Sequence, residues 1–183
     1  MASVTARATV LKPAIFALLA ANAVIYATTG RASEGIDALA WFALLALFEI
    51  ETRYPRWTHM TGNAVALDLL RLIAAAGIAI AALAFVREGE WLDACNAWLW
   101  IGVVAVLELE VRAPLFTARH RRLAAVLSVM LYGALGAVAL AWFAHGEWFD
   151  GYDALLWIAA FALIEMDLLK TAATARSALE KSM

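Results

Sequence analysis

The sequence predicts an all-α integral membrane protein: six transmembrane helices built as three tandem, like-oriented helical hairpins around a pseudo-threefold axis. Three observations carry that expectation. The first is a motif that returns. Trp41–Pro55 reads WFALLALFEIETRYP, Trp100–Pro114 reads WIGVVAVLELEVRAP, and Trp157 opens WIAAFALIEMDLLKT. Each copy is a Trp, seven apolar residues, a Glu, one variable residue, then Glu or Asp. Upstream, Gly30, Gly89 and Gly146 each stand seven residues before Asp37, Asn96 and Asp153, and the Trp follows four residues later. The copies are offset by 59 and then 57 residues, a period long enough for one helical hairpin each. The second observation is composition. A chain that is 65% hydrophobic with a mean hydropathy of +0.79 has more apolar surface than 183 residues can bury, so the surplus must face lipid.

The third observation is charge asymmetry. With six spans, one side of the membrane receives Arg7, Lys12, Arg53, Arg56, Arg112, Arg119, Arg121, Arg122, Lys170, Arg176 and Lys181. The other side receives only Arg31 and Arg87, among eight carboxylates. Eleven bases against two is a positive-inside signal that places both termini in the cytoplasm. The expected setting is a bacterial inner membrane. The chain reads as one membrane domain, 1–183, with repeat one at about 8–56, repeat two at about 63–115, repeat three at about 120–171 and a cytoplasmic tail at 172–183.

Taken in order, the apolar runs predict helices at about 12–29, 37–54, 63–87, 95–112, 122–144 and 153–170. The first run, with Arg7 and Lys12 ahead of it, resembles a secretory leader. It occupies the place that Leu72–Val86 and Leu123–Ala144 hold in the other repeats, so a retained helix is expected. The first helix of each hairpin is Ala-rich, which suits close packing on protein in a bilayer. The second is bulkier and carries tryptophan near its start. Trp91, Trp98, Trp100, Trp148 and Trp157 are expected to form one interfacial belt, with Tyr54 and Trp57 at the opposite boundary. Asp37, Asn96 and Asp153, each followed by Ala at the head of an apolar run, read as helix N-caps.

The second helix of each hairpin also carries acids far from water. Glu49, Glu108 and Glu165 lie twelve residues past the expected caps, about 18 Å along a helix that rises 1.5 Å per residue. Glu51, Glu110 and Asp167 follow two residues later and point to the opposite face. Bases stand near enough to answer them. Glu49 and Arg53, and Glu108 and Arg112, are i,i+4 pairs, while Asp68 and Arg71 are i,i+3. Hairpin geometry also brings Lys12 and Arg71 to the depth of Glu49 and Glu108. The third repeat breaks this compensation: Ser128 and Leu169 stand where the other two copies have a base. An uncompensated carboxylate in low dielectric binds a proton or a cation, which makes Glu165 with Asp167 the first candidate, followed by Glu49, Glu108, Glu51 and Glu110.

Several classes are excluded or unsupported. A net charge of −2 leaves no basic excess for a nucleic acid. Cys95 is alone, and the three histidines fall in separate loops, so no metal site and no cofactor are expected. No nucleophile–base arrangement or phosphate loop suggests an enzyme or catalytic residue. Two functions stay open. One is a small proton or cation channel or transporter that uses intramembrane carboxylates. The alternative is a structural or accessory subunit whose carboxylates only tie helices together, with a homo-oligomer or a larger membrane complex as partner alongside the lipid bilayer.

Overall fold

In a computed structural model the described residues, 2–58, 60–113, 116 and 119–164, are almost wholly helical. The elements are α1 (Ala2–Thr29), α2 (Ala32–Arg53), the short α3 (Pro55–Thr58), α4 (Thr61–Glu88), α5 (Trp91–Arg112), α6 (Arg121–His145) and α7, whose described part is 148–164. Among the described residues four stretches are long and apolar enough to cross a membrane: Leu11–Thr29, Gly62–Glu88, Trp91–Leu109 and Arg121–His145. Only 28% of the apolar window of α4 and 11% of that of α6 is buried within the protein. Rows such as Leu69, Ile73, Ile80 and Leu83, or Val126, Val129, Met130 and Leu140, therefore face outward, as lipid-exposed helices require. The chain is a helical membrane protein by this character. α2 has the 22 residues of α5, but charged residues at both ends keep it out of that set of four.

The helices begin earlier than their apolar runs. α2 starts at Ala32, α5 at Trp91 and α7 at 148, so Asp37, Asn96 and Asp153 are each the sixth residue of a helix and cap nothing. The extra turn is favourable because it carries acids, Glu34 in α2 and Asp93 in α5, where free N–H groups and the macrodipole attract negative charge. Glu34 also accepts the Arg31 backbone N–H at 2.9 Å, one half of a capping box. The turns that precede α5 and α7 depend on glycine. Gly89 and Gly146 sit at φ 80° and 84°, and the N–H groups of Glu90 and Glu147 reach back to the Phe85 and Trp142 carbonyls, the Schellman arrangement.

α2 packs on α1 and α4, and α5 packs on α4 and α6. α7 returns to the start of the chain: Leu156, Trp157, Ala160 and Leu163 meet Ile15, Phe16 and Leu19 of α1. It also meets α6, where Ala154 packs on Ala139 and Trp142. No Cα of α2 lies within 8 Å of a Cα of α5. Tryptophan fills the space between them. Trp41, Trp100 and Trp157, one each from α2, α5 and α7, form a triangle with ring centroids 6.2, 6.4 and 6.5 Å apart. Phe161 closes on Trp100 at 4.7 Å, and Ala40, Ala74, Ile78, Val103 and Leu135 complete this core.

The expected belt therefore divides. Trp91 and Trp148 are 65% and 68% exposed and Trp98 is 50% exposed, whereas Trp100 is 4% exposed and Trp157 is half-buried in the core. Trp98 and Trp100 are 200° apart on one helix, so they cannot share a surface. Removing Trp100 leaves a cavity between helices that have no backbone contact to collapse onto. Trp100→Ala is expected to cost about 3–5 kcal/mol, while Trp98→Ala costs little; thermal unfolding of both variants in the same detergent checks the contrast.

Candidate functional site

One turn from the tryptophan triangle, toward the glycine turns, the same three helices carry short polar side chains in place of indoles. Because tryptophan sets the helix spacing, Asp37, Asn96 and Asp153 cannot fill the gap. A small pocket opens there, about 50 Å3 in volume. Its walls come in triplets. Glu34, Asp93 and Asp150 lie at the rim, Asp37, Asn96 and Asp153 lie below, and Trp41, Trp100 and Trp157 make the floor. Tyr26, Phe85 and Trp142, from α1, α4 and α6, supply the side walls. Members of every triplet are 59 and then 57 residues apart in sequence. The polar ring lies about 8 Å inside the helix starts, five residues at 1.5 Å each.

Five carboxylates thus share one pocket, and their partners are unequal. Asn22, buried on α1, donates from Nδ2 to Asp153 Oδ1 at 2.6 Å. The Tyr26 hydroxyl donates to Asp150 Oδ1 at 2.7 Å. Arg31 covers the other rim acids: its guanidinium lies 2.6 Å from Glu34 and 3.0 Å from Asp93, contacts Glu90, and reaches Glu88 at 3.9 Å. Partial burial works against the charge of Arg31, but Glu34, Glu90 and Asp93 outweigh it and hold its pKa above the usual value. Ser33 ties Glu88 at 2.7 Å. Asp37 Oδ1 and Asn96 Oδ1, by contrast, are enclosed and have no hydrogen-bond partner. The Trp41 indole N–H lies toward the Asp37 carboxylate yet completes no hydrogen bond of normal geometry. At the repeat offset from Asn22 stand Ala81 and Val138, which have no donor to offer.

At the other end of the bundle, acids meet bases. Lys12 Nζ lies 2.8 Å from Glu49 Oε2, and Arg53 reaches Glu49 at 3.4 Å. Arg71 binds Asp68 at 2.8 Å and also binds Glu51. Arg71 thus crosses from α4 to α2, not to Glu108 of α5. Glu108 lies on an exposed face of α5 and also has a partner. The backbones of Glu110 and Arg112 belong to the last turn of α5, and their side chains lie outside the description. Glu165 and Asp167 fall outside the described residues.

The fold and site together define a helical membrane protein with an acid-rich pocket at one end of its bundle. Comparison with protein families, with curated proteins and with solved structures finds no match for this chain. Among the described residues no group of three or more His, Cys, Asp or Glu side chains is placed to hold a metal ion. The rim acids precede the apolar runs, so the sequence alone groups them with the other carboxylates of that side and singles none of them out. Their signal was present: Glu34, Asp93 and Asp150 each stand three residues before the Asp or Asn of the motif.

Arg31 pairs with four rim and turn carboxylates, so its removal leaves like charges facing one another. Arg31→Ala is expected to lower the melting temperature at low salt by roughly 2–4 °C. The difference from wild type should close near 1 M NaCl, where the screening length falls to about 3 Å; melts across a salt series measure it.

Proposed function

We propose that this chain is a six-span membrane protein of three like-oriented hairpins that takes up a proton or cation at the glycine-turn end and passes it across the bilayer. In this reading both termini are cytoplasmic, the membrane is a bacterial inner membrane, and the pocket faces the opposite side. The observation that carries it is the convergence of repeat-related acids on one pocket, with Asp37 and Asn96 oxygens left for a ligand. A surplus of carboxylate in a low-dielectric wall concentrates cations and repels anions. The floor is closed by tryptophan, so translocation calls for an alternating movement of the hairpins, not a standing pore. On release the cation meets the second acidic layer, Glu49, Glu51, Glu108, Glu110, Glu165 and Asp167, with the third copy the least compensated by sequence.

A specific observation also favours the second reading, an accessory subunit in a homo-oligomer or larger complex. Glu49 with Lys12, and Glu51 with Arg71, are the ties that would hold hairpins in register without moving anything. Proteoliposomes separate the two. Under an imposed ion or pH gradient the transport reading predicts flux that falls at least about tenfold in Asp37→Asn and in Glu165→Gln, with both variants remaining monodisperse. Absence of flux from the wild type under every gradient, with normal folding, contradicts transport and leaves the accessory role.

A further inference from the structure

We infer that the occupant of the acidic pocket is a small organic cation bearing N–H donors, a primary alkylammonium, seated between Asp37 and Asn96 above the tryptophan floor. The inference rests on the reading of this pocket as a cation site and names the class of cation. Four of its five carboxylates already have donors: Asp153 from Asn22, Asp150 from Tyr26, and Glu34 and Asp93 from Arg31. What remains is a pair of enclosed acceptors, Asp37 Oδ1 and Asn96 Oδ1, on two of the inner helices, with the Trp41 indole N–H lying toward the first without completing a hydrogen bond. A buried acceptor without a donor costs stability, so the two together specify what they lack: hydrogens on a positively charged group.

The rest of the pocket narrows the chemistry. An inorganic divalent ion needs six or more oxygen ligands, and no metal-binding cluster exists among the described residues. A quaternary ammonium has charge but no hydrogen to give either oxygen. Directly beneath lie Trp41, Trp100 and Trp157, with Trp142 and Phe85 on the sides, so an alkyl group would rest on aromatic surface and the charge would gain from the indole faces. The cavity is small, about 50 Å3, so a compact ammonium head group suits it and a bulky one does not.

The test is a titration of the purified full chain in detergent, read by tryptophan fluorescence and by calorimetry at constant ionic strength. Methylammonium, tetramethylammonium, sodium, potassium and magnesium chlorides are the probes. The expected result is saturable methylammonium binding, at least about tenfold tighter than tetramethylammonium or any of the metal ions, as one charged hydrogen bond gained or lost implies. Asp37→Asn and Asn96→Leu should each weaken it by about tenfold, and the wild-type ranking of the cations stands as a test should either variant misfold. Tetramethylammonium binding as tightly as methylammonium, or sodium, potassium or magnesium binding more tightly, overturns the inference while leaving a cation site. Methylammonium affinity unchanged in both variants overturns it by placing the site elsewhere. Binding of no cation at all removes both the inference and the cation reading beneath it.

Discussion

Indole rings set the distance between the inner helices, and most of the structure follows from that distance. The Cα atoms of α2 and α5 stay more than 8 Å apart, and Trp41, Trp100 and Trp157 occupy the interval. In a bilayer, packing and polar ties order helices because lipid is as apolar as they are. A layer of three large, rigid side chains therefore sets a spacing that smaller neighbours must accept. One turn away, where each helix carries Asp or Asn, that spacing is too wide to fill, and a pocket results. The site is thus a consequence of alternating large and short side chains on the same helical face.

The charges divide along the same axis. At the glycine-turn end, carboxylates crowd together with Arg31 as their principal counter-charge, and two acceptor oxygens are left over. At the far end, Lys12, Arg53 and Arg71 answer Glu49, Glu51 and Asp68. A buried charge is tolerated when it is paired, and breaking the pair is costly, so the far layer reads as register and the near pocket as ligand chemistry. The acids of the pocket are not equivalent in this respect. Asn22 and Tyr26 of α1 satisfy the acids of α7, whereas Ala81 and Phe85 of α4, at the same offset, have no hydrogen bond to give.

How much of this the sequence discloses depends on which physical signal each feature leaves. Helix existence and order are legible, because long apolar runs punctuated by Gly89 and Gly146 have few other solutions. α1 begins about ten residues before its apolar run, and the starts of α2, α5 and α7 are misjudged by four or five residues, since their first turns are polar and resemble loop. That error made caps of Asp37, Asn96 and Asp153, although capping preference and pocket lining draw on the same residue types. The tryptophans mislead for a related reason. Composition cannot separate Trp98, which faces outward, from Trp100, which faces the core; only their angular separation on the helix does. The site itself was spelled out at fixed spacing, acid or Asn at i, acid at i−3 and Trp at i+4, but its meaning required knowing that the three faces converge.

The central claim is a pocket that is open at the glycine-turn end and closed by tryptophan. Cysteine accessibility tests it most directly, in a Cys95→Ser background reconstituted into sided vesicles. Single cysteines at Asn96, inside the pocket, and at Val103, beneath the floor, are challenged with charged, membrane-impermeant thiol reagents from either side. The account predicts that Asn96→Cys reacts only from the side bearing Gly30, Gly89 and Gly146, faster with a cationic than with an anionic reagent, and that Val103→Cys stays unreactive from that side. Ready labelling of Val103→Cys from the same side, or none of Asn96→Cys, would contradict it.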